Sequence, residues 1–182
     1  MGKITLVTGG SRSGKSSFAE KMLSKYDDVL YVATAIPTDK DMEERIKIHK
    51  QRRNSKWETY EGYRKIGDVI KNKNHKYVLL ECIGTLITDI LFEGEKDFDK
   101  ITKNEINALE ENVLNEIKNI ILSAHDCGIN LVIITNEVGM SVVPEYRLGR
   151  IFSDILGRVN QFIADNSDEV YISFCGIPLK LK

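Results

Sequence analysis

The sequence predicts an α/β fold, with a mainly parallel sheet, helices on both faces and a hairpin at the C-terminal sheet edge. Three observations carry that expectation. Apolar runs of strand length alternate with stretches of helical periodicity, the pattern of a parallel sheet buried between crossover helices. The first run, "ITLVTG", passes through a glycine-rich turn directly into a helical stretch, as in P-loop NTPase-like proteins. The last two apolar runs, "EVYISF" and "GIPLKLK", are split by a turn at Gly176 with no room for a helix between them.

Taken in order, Ile4–Thr8 reads as the first strand and Lys15–Ser24 as the first helix. "VLYVATA", Val29–Ala35, is a second buried strand. Helical spacing resumes over about Asp39–Arg53, with Thr38 and Asp41 placed as a capping box. Tyr77–Glu81 is a third strand and Ile83–Phe92 a short helix. Ile106, Leu109, Val113, Ile117, Ile120 and Ile121 recur at i, i+3, i+4 spacing, so Asn104–His125 is a long amphipathic helix. Gly128–Thr135 is a fourth strand, Arg147–Ala164 another helix, and the charged stretch Glu93–Asn104 a solvated loop.

The chain has 182 residues, which points to one domain spanning 1–182 and able to bury its own core. A net charge of −1 supplies no global field toward nucleic acid or anionic lipid. Cys82, Cys127 and Cys175 lie far apart, without a C-x-x-C pair, which suggests reduced thiols in the cytoplasm. "MGKITLV" is too short an apolar run for a signal peptide, and Leu6 breaks the myristoylation pattern that Gly2 opens. No stretch approaches the ~18 apolar residues of a membrane span.

The chemistry begins at "GGSRSGKS". Gly9 and Gly14 are four residues apart, with Lys15 and Ser16 immediately after: G-x-x-x-x-G-K-[ST]. Glycines at both ends let Gly9, Gly10, Ser11, Arg12, Ser13 and Gly14 wrap their N–H groups around an anion. The helix that follows adds its positive end. Lys15 can reach outer phosphates, and the Ser16 hydroxyl can ligate Mg²⁺. A magnesium site also wants a carboxylate at a neighbouring strand end, and Glu81 stands there, unless it serves a structural partner. "VIITNEVG" ends another strand with Asn136 and Glu137 at the edge where α/β sheets place ligands. A phosphate grip alone fits a kinase, a switch or a motor. The Asn-Lys-x-Asp element of guanine switches is absent, and Asp154–Gly157, the D-x-x-G match, sits in a helical pattern.

A second informative stretch is "ERIKIHKQRRNSKWETYE". On a helix, Arg45, His49, Arg52 and Arg53 fall at i, i+4, i+7 and i+8, on one face. Cationic neighbours push an imidazole toward its neutral form, which is nucleophilic, and guanidinium groups can stabilise phosphoryl charge. The alternative is a solvated basic face with an incidental histidine. His75 and His125 lie in polar contexts and read as surface residues.

Together these stretches resemble the bifunctional adenosylcobinamide kinase/adenosylcobinamide-phosphate guanylyltransferase family. "LVTGGSRSGKSSFAE", "LYVATA", "ERIKIHKQRR", "WETYE", "LLECIGTLITDIL", "ITNEVGMSVVP" and the segment from "GRIFSDILGRVNQ" to the C-terminus follow its order and spacing, essentially from Ile4 to Lys182. The resemblance implies two reactions: phosphorylation of adenosylcobinamide by ATP or GTP, then transfer of GMP from GTP through a histidine-bound intermediate. It implies that His49 carries the GMP and that Gly9–Ser16 bind nucleotide phosphates. Ala33, Thr34, Ala35, Lys50, Gln51, Arg52, Arg53, Glu61 and Glu81 match positions of GTP binding, and Mg²⁺ is the implied cofactor. A homotrimer is implied as well. Ser141 departs from the pattern, standing in the N-E-V-G loop where the family commonly has glycine. A small-molecule P-loop kinase without guanylyl transfer is the competing reading.

Overall fold

The computed structural model describes residues 2–35, 44 and 54–182. In chain order the elements are β1 (Ile4–Gly9), α1 (Lys15–Leu23), β2 (Val29–Ala33), β3 (Glu58–Glu61), α2 (Ile66–Lys73), β4 (Tyr77–Glu81), α3 (Ile83–Leu91), α4 (Lys103–Asp126), β5 (Asn130–Ile134), α5 (Arg147–Asp165), β6 (Glu169–Phe174) and β7 (Ile177–Lys180). The strands form one sheet in the order β3-β2-β4-β5-β1-β6-β7. Every neighbouring pair is parallel except the β6–β7 hairpin. This is the mainly parallel α/β architecture expected, with the edge hairpin in its expected place.

Alternation along each strand divides the core in two. Leu6, Leu30, Val32, Val78, Leu80, Leu131 and Ile133 face a large cluster built with α2, α3, α4 and α5. Val7, Val29, Tyr31, Leu79, Val132 and Ile134 face the other way, against Ala19 and Leu23 of α1 and Trp57. With both faces covered, the central strands must be apolar throughout, which is why they read as unbroken runs.

Two elements lacked a legible pattern. β3 is an edge strand whose Glu58, Thr59 and Glu61 are exposed, so it carries no apolar run. α2 is eight residues long and holds Gly67 against α4, where a Cβ would lie 2.7 Å from Ser123 Oγ. Tyr77–Glu81 is therefore the fourth strand of the chain and not the third. The second strand ends at Ala33, two residues before the expected end.

The stretch after α3 is less solvated than its charge suggests. Ile101 is buried, Phe98 packs edge-on against Phe92, and the Arg147 guanidinium donates to the carbonyls of Asp99 and Ile101 at 2.6 Å each. The capping box expected at Thr38 and Asp41 lies outside the described residues. Among the described residues a capping box stands at the start of α4, where Thr102 and Glu105 cap each other reciprocally. His75, expected at the surface, is largely covered: its ring nitrogens lie 2.7 Å from Asp28 and 2.8 Å from Glu58, joining the leading ends of β2, β3 and β4. All three cysteines are free thiols. Among the described residues no helix is long and apolar enough to cross a membrane.

Candidate active site

The carboxyl ends of β1, β2, β4 and β5 meet at one sheet edge, and the loop between β1 and α1 lies over it. Gly14 takes φ +91°, and a Cβ there would stand 2.8 Å from Gly176 Cα, so glycine is required on two counts. Arg12 is also left-handed, at φ +57°. Lys15 Nζ donates to the Gly10 carbonyl at 3.0 Å. Burial pushes its ammonium pKa down, with Cys82 and Glu81 acting in the opposite direction.

The Ser16 hydroxyl donates to Glu81 Oε1 at 2.6 Å, and the Tyr31 hydroxyl donates to Glu81 Oε2. A serine at the head of α1 and a carboxylate at the end of β4 therefore present hard oxygens side by side, a donor set that suits Mg²⁺. Sheet register places Ala33 opposite both Glu61 and Glu81, so three positions matched to GTP binding are cross-strand neighbours. Glu61 is exposed, while Ala33 and Ala35 are partly covered. Thr34 is fully buried: its N–H donates to Glu81 O at 2.8 Å, and its hydroxyl accepts from Cys82 N–H at 2.9 Å. That hydroxyl also lies 2.5 Å from the Thr85 hydroxyl, so Thr34 ties the end of β2 to the start of α3. Burial raises the pKa of the neighbouring Cys82 thiol. His49, Lys50, Gln51, Arg52 and Arg53 lie outside the described residues.

The loop after β5 is tied to the phosphate loop through backbone. Glu137 N–H donates to Gly9 O at 3.0 Å, and Thr135 N–H to Val7 O at 3.0 Å. Asn160 of α5 then spans the end of β5, accepting from the Thr135 hydroxyl at 2.7 Å and donating to Asn136 O at 3.0 Å. In the N-E-V-G loop Gly139 N–H donates to the Glu137 carboxylate at 2.6 Å, and the Ser141 hydroxyl donates to Val138 O at 2.8 Å. Ser141 thus closes a local turn, one more constraint than glycine could provide.

Sequence reasoning missed the support beneath the phosphate loop. The buried Ser173 hydroxyl of β6 donates to Ser13 O at 2.7 Å, and Gly176 N–H donates to the same oxygen at 2.8 Å. Both donors belong to the C-terminal hairpin. Gly176 carries a turn signal, but nothing in the sequence aims it at Ser13. Asn160 belongs to the "GRVNQ" stretch, whose spacing marks it without stating its partner.

A family model described as cobinamide kinase / cobinamide phosphate guanyltransferase matches residues 5–181. The bifunctional adenosylcobalamin biosynthesis protein CobU of Escherichia coli (strain K12) is 42% identical over 184 residues, covering 98% of this chain and 99% of its own length. Its namesake from Salmonella typhimurium is 42% identical over 183 residues, with 98% and 99% covered. The KaiC-like protein PH0186 of Pyrococcus horikoshii OT3 shares the fold at a TM-score of 0.52 and 16% identity, over 93% of this chain and 70% of that one. Nearly the whole chain matches these relatives, phosphate loop and C-terminal hairpin included, and it belongs to the cobinamide kinase / cobinamide phosphate guanyltransferase family.

Proposed function

We propose that this chain, a bifunctional kinase and guanylyltransferase by family, phosphorylates the aminopropanol hydroxyl of adenosylcobinamide with ATP or GTP. It then transfers GMP from GTP, through His49, to give adenosylcobinamide-GDP. The observation that supports nucleotide chemistry most directly is the convergence of Lys15, Ser16 and Glu81 at the carboxyl edge. In the kinase step the loop N–H groups and the Lys15 ammonium hold the transferring phosphoryl group. Ser16 and Glu81 would hold Mg²⁺, which when bound neutralises charge on phosphate oxygens.

In the transfer step the imidazole of His49 attacks the α-phosphorus of GTP, a P–N bond forms and pyrophosphate leaves. The phosphate of adenosylcobinamide phosphate then displaces the imidazole, and the new P–O bond completes the diphosphate. Arg45, Arg52 and Arg53, by their spacing, are the cations that neutralise this second centre. The enzyme works as one cytoplasmic domain within a homotrimer. Exposed Phe92 and Tyr146 support a subunit surface, since they line one apolar groove of about 420 Å³ with Pro144 and Phe152.

Incubation with α-labelled GTP tests the two-step reading. Acid-labile label on the wild-type protein, absent from His49→Ala, is the expected result. A His49→Ala protein that still forms adenosylcobinamide-GDP at the wild-type rate refutes it, and an enzyme that only phosphorylates adenosylcobinamide is the small-molecule kinase.

A further inference from the structure

Glu81 has one oxygen on Ser16 and the other on a residue to which no role has been given, Tyr31. Tyr31 pairs in register with Leu79 of β4, and Glu81 is two residues further along on the same face of that strand. A diagonal neighbour of this kind is within reach of aromatic and other long side chains. The residue is only 3% exposed, and its ring sits in the core cluster with Val7, Ala19, Leu79 and Ile134, between the sheet and α1. Packing therefore holds the ring, and the ring holds the hydroxyl. A phenylalanine would fill the same apolar space. What it would lack is a donor aimed at a carboxylate that stands half-covered at the strand end.

We propose that Tyr31 is a positioning residue for the phosphate site: its buried hydroxyl fixes the Glu81 carboxylate so that Oε1 remains beside Ser16. This rests on the reading that Ser16 and Glu81 together hold Mg²⁺. A carboxylate ligand with one oxygen anchored keeps its free lone pairs in a single orientation. An unanchored one turns about its last torsion and meets the cation less often in the right pose. Tyr31 touches neither nucleotide nor reacting atoms in this account and acts only through Glu81.

The test uses the full-length protein as wild type, Tyr31→Phe, Glu81→Gln and the double variant. Binding of a fluorescent non-hydrolysable GTP analogue is titrated with Mg²⁺ and compared with binding in EDTA. In Tyr31→Phe the Mg²⁺ concentration for half-maximal binding should rise on the order of tenfold, with binding in EDTA unchanged. The double variant should bind no more weakly than Glu81→Gln alone, because the anionic carboxylate that Tyr31 positions is then gone. Wild-type Mg²⁺ dependence in Tyr31→Phe, with a shifted dependence in Glu81→Gln, overturns the Tyr31 role and leaves the magnesium reading standing. Wild-type dependence in Glu81→Gln overturns both. Equal weakening of Tyr31→Phe with and without Mg²⁺, or additive losses in the double variant, assigns Tyr31 to general packing and overturns the inference.

Discussion

Lys15 and Ser16 are adjacent in sequence but face different partners, the lysine its own loop at Gly10 and the serine a carboxylate 65 residues away. Replacing Lys15 with alanine removes a charged donor worth ~1.5–3 kcal/mol, so nucleotide affinity should fall roughly 10- to 100-fold by calorimetric titration. An unchanged dissociation constant removes Lys15 from the phosphate site. The motif that names both residues was readable because its constraint is local: two glycines, a lysine and a hydroxyl at fixed spacing after a strand. Glu81 was readable from its place at a strand end. Tyr31, Asn160 and Ser173 were not, because what distinguishes them is a partner 50, 25 and 160 residues distant. Their stretches carry the family resemblance, but nothing local in them states the partner. The predicted nucleophile His49 keeps its support from spacing and resemblance alone.

The hairpin of β6 and β7 shows the same principle at the scale of elements. Ser173→Ala leaves Ser13 O with the Gly176 N–H alone. Loss of one buried hydrogen bond should cost about 1 kcal/mol of stability and raise the nucleotide dissociation constant several-fold, both measurable on one preparation. Affinity equal to wild type would mean that the loop holds its shape without β6. The other end of the hairpin is electrostatic. Lys180 first, then Lys3, pull the Glu169 carboxyl down to about 2 from an ordinary 4.5. A depressed acid contributes stability above its unfolded value and loses it as pH falls, here from about 4.5 to about 2. The lysines are half exposed, so the effect is at most about 1 kcal/mol. Thermal melts of wild type and Glu169→Gln should differ at pH 6 and converge near pH 2. A gap that persists at pH 2 would contradict the assignment. Elements with strong periodicity, such as α4 and α5, were read to within a residue or two. β3 and α2 escaped because one is polar and exposed and the other is short and glycine-bearing.

Across the molecule, the sheet separates a large core under α2–α5 from a smaller one under α1. Ile87 lies fully buried in the larger core. Ile87→Ala should lower unfolding free energy by about 2–5 kcal/mol in urea, while Leu122→Ala, at a 57% exposed position, should stay within about 0.5 kcal/mol. Similar losses at both sites would mean that the core is not where these contacts put it. Fold class was legible because two-sided burial imprints itself on every central strand. Strand order was not, since β1 lies between β5 and β6 through pairings more than a hundred residues apart in sequence. The contact between Ser173 and Ser13 adds a consequence in time. A ribosome adding about 5–20 residues per second makes the phosphate loop roughly ten to thirty seconds before the hairpin that pins it. In a nascent chain the phosphate loop is therefore made well before the two donors that hold Ser13 O.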